Sequence, residues 1–426
     1  MKDKRKRIAI IGSGISGLTA AFILNKKHDI TVFEANDYIG GHTATKQVEH
    51  NNTRYNIDTG FIVFNDWTYP NFIRLMDELG VEKQKTEMSF SVKNTSENIE
   101  YNGHNLNSLF AQRRNLLRPK FLRIVKDIIK FNKICKQVIE DKTDTDGLTL
   151  FDFIQHNKLS QGFANNYILP MCAAIWSASL DDVKQFPLTF FLQFFNNHGL
   201  LNIKDRPQWY TLVGGSSSYI EPLTADFKHK IKLNSPVSNV HQLDDTWYLS
   251  TKGGIEEFDS VIFACHSDQA LACLSNPSGV QKAVLGAIPY SDNEVVLHTD
   301  ESVLPKRKRA WASWNYELRP NSSSGLADKN PASVTYNMNI LQRLVTQTTF
   351  CITLNNTAAI DPKQILGRYN YTHPQYSKSM VEAQSKRSEV TNQNGLHFCG
   401  AYWYSGFHED GIKSALDVCR DMGEQW

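Results

Sequence analysis

Residues 8–21 read Ile8-Ala9-Ile10-Ile11-Gly12-Ser13-Gly14-Ile15-Ser16-Gly17-Leu18-Thr19-Ala20-Ala21, and a second apolar run closes on Glu34. This pattern allows few folds: a buried strand, a tight turn, a close-packed helix and a second strand ending in an acid. Gly12 permits the turn, and Gly14 lets the backbone approach a pyrophosphate. Gly17 and Ala20 let the helix lie close to the sheet. The helix N-terminus, with Ser16 in its first turn, offers free N–H groups and partial positive charge to phosphate. Glu34 stands 22 residues after Gly12, where a carboxylate accepts hydrogen bonds from ribose hydroxyls. The expected fold class is α/β, with a Rossmann-type dinucleotide-binding domain.

The next segment separates flavin from nicotinamide cofactors. Glu34-Ala35, four residues, then Gly40-Gly41 resembles the FAD half-site of the flavin-containing amine oxidase, protoporphyrinogen oxidase and phytoene desaturase superfamily. The resemblance implies that Glu34 and Ala35 sit at the adenosine ribose and that Gly40 and Gly41 let the chain pass the pyrophosphate. It recurs at Asp58-Thr59-Gly60, which in the superfamily runs close to the flavin, and at Pro236-Val237, where the Val237 backbone meets the adenine side. It returns at Gly395 to Ala401 and Gly406 to Ala415. There the turn at Gly400 precedes a helix whose first residues, Gly411 and Ile412, approach the flavin N1–C2=O edge. Partial positive charge at that end stabilises anionic reduced flavin. The implied cofactor is FAD, held non-covalently because no cysteine occupies 401–410.

The resemblance spans nearly the whole chain, but some positions depart from it. Tyr38 and His42 stand where the superfamily often has arginines supporting the pyrophosphate. His42 is expected to donate a hydrogen bond with less guaranteed charge. The strand region 292–298 holds no lysine, although amine oxidases place one near flavin N5. Phe407 replaces one tyrosine of their substrate cage. The segments Val296 to Asp300, Trp311 to Tyr316 and Gly406 to Gly411 look like a bacterial group of amine-oxidase-like flavoproteins associated with cyclopropane and furan fatty-acid modification.

With 426 residues, two discontinuous domains are expected. The FAD-binding domain takes 1–60, 211–285 and 391–426. A helical plus antiparallel-sheet substrate domain takes 61–210 and 286–390. A helix is expected over Tyr69 to Gly80, short strands over 88–92 and 99–101, and a loop over Pro320 to Asn330. Residues 185–203 lack charge but contain Pro187 and Gly199, so they read as a buried helix, not a membrane span. The net charge of +2 predicts no nucleic-acid partner. Seven cysteines without a C-x-x-C pair suit reduced thiols in the cytoplasm. The basic start imitates a signal peptide, but Gly12, Ser13, Gly14 and Ser16 break the apolar run that follows.

His408, beside the expected flavin, and His298 are the candidate catalytic bases, and Phe407 is the candidate substrate contact. Either histidine also reads as a structural one bonded within the fold. No metal is expected, because the H-E-x-x-H spacing begun by His408-Glu409 meets Ile412. The main expectation is an FAD-dependent oxidoreductase moving hydride from a hydrophobic substrate, an unsaturated or branched acyl lipid, to flavin N5. The alternatives are a flavin amine oxidase and a flavin-binding protein that presents lipid without turnover. Residues 113–136 carry nine cations against Asp127 on an apolar-periodic stretch. That stretch is expected to touch the inner membrane face peripherally; its competing reading is a solvated basic helix packed on the core.

Overall fold

The computed structural model describes residues 5–318 and 333–426; the loop expected at Pro320 to Asn330 and the first four residues lie outside them. A five-stranded parallel sheet carries the glycine turn. Its strands run Ile231–Lys232, Asp29–Phe33, Arg7–Ile11, Ser260–Phe263 and Leu396–Phe398 across the sheet. All neighbours pair in parallel, with Ile10 opposite both Val32 and Ile262. Ile8 to Ile11 are all buried, as a parallel strand covered on both faces requires. Period-two alternation divides them. Ile8 and Ile10 join one core with Leu18, Ile412 and Val418. Ala9 and Ile11 join another with Val240, Leu249 and Phe258 from the meander Asn239–Leu243, Thr246–Thr251 and Gly254–Phe258.

The Ile15–Leu24 helix is buried almost all round because the C-terminal His408–Asp421 helix lies against it. A Cβ on Gly411 would stand 2.7 Å from the Ile15 Cγ2. Glycine is therefore required at that crossing for the helices to approach.

A seven-stranded sheet forms the second layer. Its order is Ile365–Pro374, Tyr290–His298, Cys351–Leu354, Val334–Asn337, Trp314–Leu318, Phe90–Asn94, Ile99–Asn102. Every pair is antiparallel except Trp314–Leu318 with Phe90–Asn94. Against it lie the helices Pro119–Glu140, Leu150–His156, Leu169–Trp176 and Leu188–Asn197. Their core is aromatic: Phe131 packs 5.1 Å from Phe163 and 5.8 Å from Phe191, centroid to centroid. The basic stretch does not run as one helix from residue 113. A 3-10 turn covers Arg113–Leu117, and the α-helix starts at Pro119 after extended Arg118. Proline forces the preceding residue out of the helical region and itself suits the first helical position. No helix among the described residues is long and apolar enough to cross a membrane.

His298 is corrected here as a catalytic candidate. Its Nε2 lies 2.7 Å from Thr353 Oγ1, and its Nδ1 accepts from the Asp300 N–H at 3.1 Å. Both ring nitrogens are satisfied, the residue is fully buried, and burial pushes its pKa down to about 4. It ends the Tyr290–His298 strand, five residues or ~16 Å along from Asn293.

Burial similarly lowers His42 and His408 to about 3, and His198, His373 and His397 to about 4. Burial acts oppositely on Asp58, raised to about 6, and Asp410, raised to about 7. Below pH 6.5 the unfolded chain takes up the histidine protons that the fold refuses, so stability falls with pH. The two acids gain stability over the same interval but are outnumbered. Thermal melts should therefore show a midpoint highest at or above neutrality and falling steeply from about pH 6 to 5. The expected slope is roughly 1.4 kcal/mol per pH unit for each uncompensated proton; a flat profile would contradict the burial of neutral imidazoles.

Candidate active site

The site begins at the turn between the first strand and helix. Gly12 adopts φ +111°, and a Cβ there would meet the Ala264 carbonyl oxygen at 2.7 Å. A Cβ on Gly17 would meet the Gly12 carbonyl oxygen at 2.0 Å, so the helix packs directly onto its own turn. Gly14 differs: its φ is an ordinary −69° and a Cβ would meet nothing within 4 Å. The space over Gly14, at the helix N-terminus, is where a diphosphate can rest on free N–H groups. Ser16 is buried beneath that N-terminus, against the Gly411 crossing.

Glu34 is 6% exposed and already has four protein donors. Its Oε2 accepts from Ser13 N at 2.9 Å and Ser13 Oγ at 2.6 Å; its Oε1 accepts from Asn36 N and Nδ2, each at 2.9 Å. These fill the roughly four lone-pair positions of a carboxylate. Glu34 thus clamps the glycine turn to the end of the second strand. Ala35 is exposed beside it. Asn234 N and Ser235 N donate to the carbonyls of Asn36 and Glu34, bringing the segment before Val237 alongside. The Val237 carbonyl accepts from Cys273 Sγ at 3.2 Å.

Gly40 N donates to the Ser13 carbonyl, and Gly41, at φ +59°, lies so near Gly14 that its Cβ would be 3.2 Å from the Gly14 Cα. His42 follows. Its carbonyl accepts from Phe61 N, and a Cβ on Gly60 would stand 2.1 Å from that oxygen. Thr59 is buried against it, bonding the Ala44 carbonyl and, at 2.7 Å, the Tyr371 hydroxyl. The residues of 40–42 and 58–60 therefore form one surface.

The His42 ring is buried, hydrogen-bonded to the Thr372 backbone, and its Nε2 has no partner among the described residues. Nε2 is thus the ring atom left to meet a ligand, as donor or acceptor according to the tautomer. Around it stand Tyr371, His373 and His266, with centroids 5.5, 5.4 and 6.0 Å away. His373 Nδ1 lies 3.3 Å from both Asn293 Nδ2 and Ser177 Oγ. Burial first, then the neighbouring imidazoles, keeps these rings neutral. A cation does stand beside Tyr38: Lys46 Nζ lies 5.1 Å from the ring centroids of Tyr38 and Tyr369. His266, Asn293, His373 and Lys46 carry no motif in the sequence; strand ends distant along the chain bring them together.

His408 sits buried at the N-terminus of the C-terminal helix. Its Nε2 lies 3.0 Å from both Thr43 Oγ1 and Tyr219 OH, and its ring stacks on Phe61 at 3.7 Å and 6°. Burial lowers its pKa to about 3. These bonds tie the helix to the Thr43 loop and to Tyr219, so the structure shows His408 as a ring bonded within the fold, in place of the expected free catalytic base. Glu409 accepts from Asn71 N, Asn71 Nδ2 and Phe72 N, capping the Pro70–Glu78 helix from outside. Ile412 is core, and Gly400 N donates to Ser414 Oγ at 2.8 Å. Phe407 alone of this group faces the helical layer, stacking on Phe194 at 5.3 Å.

A Rossmann turn, a second strand-terminal acid and a C-terminal helix closing over both define a flavoprotein of the three-segment kind. A family model described as flavin containing amine oxidoreductase matches residues 15–338, and the chain belongs to that family. FAD is its cofactor. The chain is 35% identical to a zeta-carotene desaturase of Capsicum annuum over 83 residues, 19% of this chain and 13% of that protein. It is 39% identical to flavin-containing amine oxidase A of Canis lupus familiaris over 83 residues, 19% and 15% of the two chains. The matched stretch thus spans under one sixth of either relative. Over whole chains, the fold resembles a putative protoporphyrinogen oxidase from Exiguobacterium sp. 255-15 (TM-score 0.69, 14% identity, 99% and 98% covered). It also resembles a CLA-producing fatty acid isomerase from P. acnes (TM-score 0.66, 14% identity, 99% of each covered).

The open space over Gly14 and the unpartnered His42 Nε2 fit FAD. Gly14→Ala should leave the melting temperature of the cofactor-free protein unchanged yet weaken FAD binding, read by flavin fluorescence titration. Gly17→Ala should destabilise the fold itself by about 1–3 kcal/mol, since its Cβ overlaps the Gly12 carbonyl. Equal effects of the two variants on stability would contradict this division. His408→Ala should lower stability and FAD retention, with the flavin-reduction rate of the FAD-bound fraction within a few-fold of wild type. A loss of about 100-fold in that rate, the size expected for a general base, would restore His408 to catalysis.

Proposed function

We propose that this oxidoreductase dehydrogenates an unsaturated or branched acyl lipid. The observation that carries this reading is the aromatic wall packed around Phe407. Phe194 stacks on Phe407, and Trp176 lies 4.6 Å from Phe194 and 5.4 Å from Phe190. Phe190 stacks on Tyr376 at 5.0 Å. His198, stacked on Phe194 at 3.9 Å, bonds its Nδ1 to the Phe194 carbonyl and is held neutral by burial. Asp410 donates no fixed full charge either, because burial raises it to about 7 while it accepts from Phe407 N. Such walls bury CH₂ groups at roughly 0.8 kcal/mol each and offer an ionic headgroup nothing.

Bound FAD supplies the acceptor for a hydride. This chain's residues bind and orient the alkyl chain along the aromatic wall that Phe407 forms with Phe194, Phe190 and Trp176, exclude water, and hold the surrounding imidazoles neutral. Two similar proteins are named for a carotene and a fatty acid, both long hydrophobic chains, which supports the reading. The missing lysine on Tyr290–His298 and the absence of a hydroxyl on Phe407 count against amine oxidation. The family description and the amine oxidase relative favour that second reading.

Anaerobic mixing separates them. Acyl phospholipids in detergent should bleach the flavin absorbance, whereas primary and secondary amines should not. Reduction by amines alone would establish the second reading. Phe194→Ala and Phe407→Ala should slow reduction by lipid roughly tenfold or more while leaving bound FAD unchanged. Heat or acid should release the flavin as FAD.

A further inference from the structure

The Pro119–Glu140 helix has two apolar stripes, and the described residues cover only one of them. Phe121, Ile124, Phe131 and Cys135 face the core. Leu122, Val125 and Ile129, at helical spacing on another face, form the floor of a shallow trough whose rim is Lys126, Lys130 and Lys133. Ile129 is 53% exposed and Leu122 42%. The turn just before the helix adds Leu117 at 88% and Leu116 at 48%. A face meant only for water would carry polar residues at these positions.

The charge of this face has one sign. Asp127, the acid of the 113–136 stretch, points inward, where its carboxylate accepts from Ser160 N and Arg123 Nε. Lys130 donates to the Asn157 carbonyl. Lys120, Lys126 and Lys133 have no ion-pair or hydrogen-bond partner among the described residues and extend into solvent. A leucine and isoleucine floor edged by unpaired lysines complements an anionic bilayer. The apolar floor enters the acyl boundary, and the lysine stems lie along it with their ammonium groups at the phosphates.

We propose that this face docks the protein on a membrane containing anionic phospholipid. The place of the helix in the fold gives the docking a consequence. Its inner face packs Phe131 on Phe191. Phe191 lies 4.1 Å from Phe195, Phe195 lies 6.3 Å from Phe194, and Phe194 stacks on Phe407. A continuous series of packed rings, Phe131, Phe191 and Phe195, therefore links the membrane-facing helix to the aromatic wall assigned to the acyl chain. The docking stands on the surface chemistry alone, and only this consequence rests on the lipid reading.

The test is sedimentation of the full FAD-loaded protein with vesicles of phosphatidylglycerol mixed into phosphatidylcholine, and of phosphatidylcholine alone, at low and high salt. Wild type should pellet with the anionic vesicles, and high salt should reduce that binding several-fold. Lys126→Glu with Lys133→Glu, and separately Leu117→Ser with Ile129→Ser, should each lower partitioning about tenfold or more. Both pairs should keep wild-type FAD content. Indifference of wild type to both vesicle types would overturn the proposal without needing any variant. A dimer that dissociates on Ile129→Ser, with no vesicle binding, would overturn it in favour of a second copy covering the stripe. Flavin reduction by detergent-dispersed lipid is measured separately, so a failure of docking and a failure of the substrate reading are distinguishable.

Discussion

The structure depends on how closely the Ile15–Leu24 helix approaches its own turn. Gly17 against the Gly12 carbonyl and Gly411 against Ile15 leave no room for a methyl group at either contact. These two approaches fix the first helix between the parallel sheet and the C-terminal helix. They also fix where the helix N-terminus points, and hence where a diphosphate sits. The Glu34 carboxylate completes the arrangement by bonding Ser13 on one oxygen and Asn36 on the other. In a buried setting such charge-assisted bonds are short and strong, so the turn is held even before any ribose hydroxyl arrives.

From that anchor the site divides by polarity. The side formed by 40–42, 58–60 and the strand ends holds the polar groups: His42, His266, His373, Asn293 and Tyr371. Burial keeps the imidazoles among them uncharged. They serve as hydrogen-bonding groups that cost little to bury, where an arginine would have demanded a counter-charge. The other side is aromatic, from Phe407 back through the Phe-rich helix. Phe407 is the hinge of the two halves because it caps the C-terminal helix and also stacks on Phe194. The capping carboxylates follow the same economy. Glu409 leaves its own helix to cap Pro70–Glu78, and His408 bonds Thr43 and Tyr219, so two polar residues in succession secure the flank of the site.

The sequence by itself determined the cofactor fold. Glycine spacing, buried strand runs and a strand-terminal acid act within about 35 residues of chain, and each has a steric reason readable without coordinates. That is why Gly12, Gly14, Gly17, Glu34, Gly40 and Gly41 lie together in the structure. The same local logic placed the Phe-rich segment as a buried helix and gave the basic stretch its helical period, although Pro119 moved the start.

Tertiary structure alone decided the roles of the histidines. A histidine in a sequence is equally a base, a ligand or a packed ring, and its partners settle which. Thr353 with the Asp300 amide, and Thr43 with Tyr219, are 55, 2, 365 and 189 residues away from the histidine each one bonds. Most of those separations are far beyond any local pattern. The cluster around His42 arises in the same way, from the ends of separate strands whose order in the sheet differs from their order in the chain. The exposed stripe on Pro119–Glu140 belongs here too. Apolar periodicity marks a helix with something to bury, but which of its two stripes meets the core is fixed only when Phe131 finds Phe163 and Phe191. Long-range packing selects one face from several that the local pattern allows, because burial energy follows area and does not depend on which stripe supplies it.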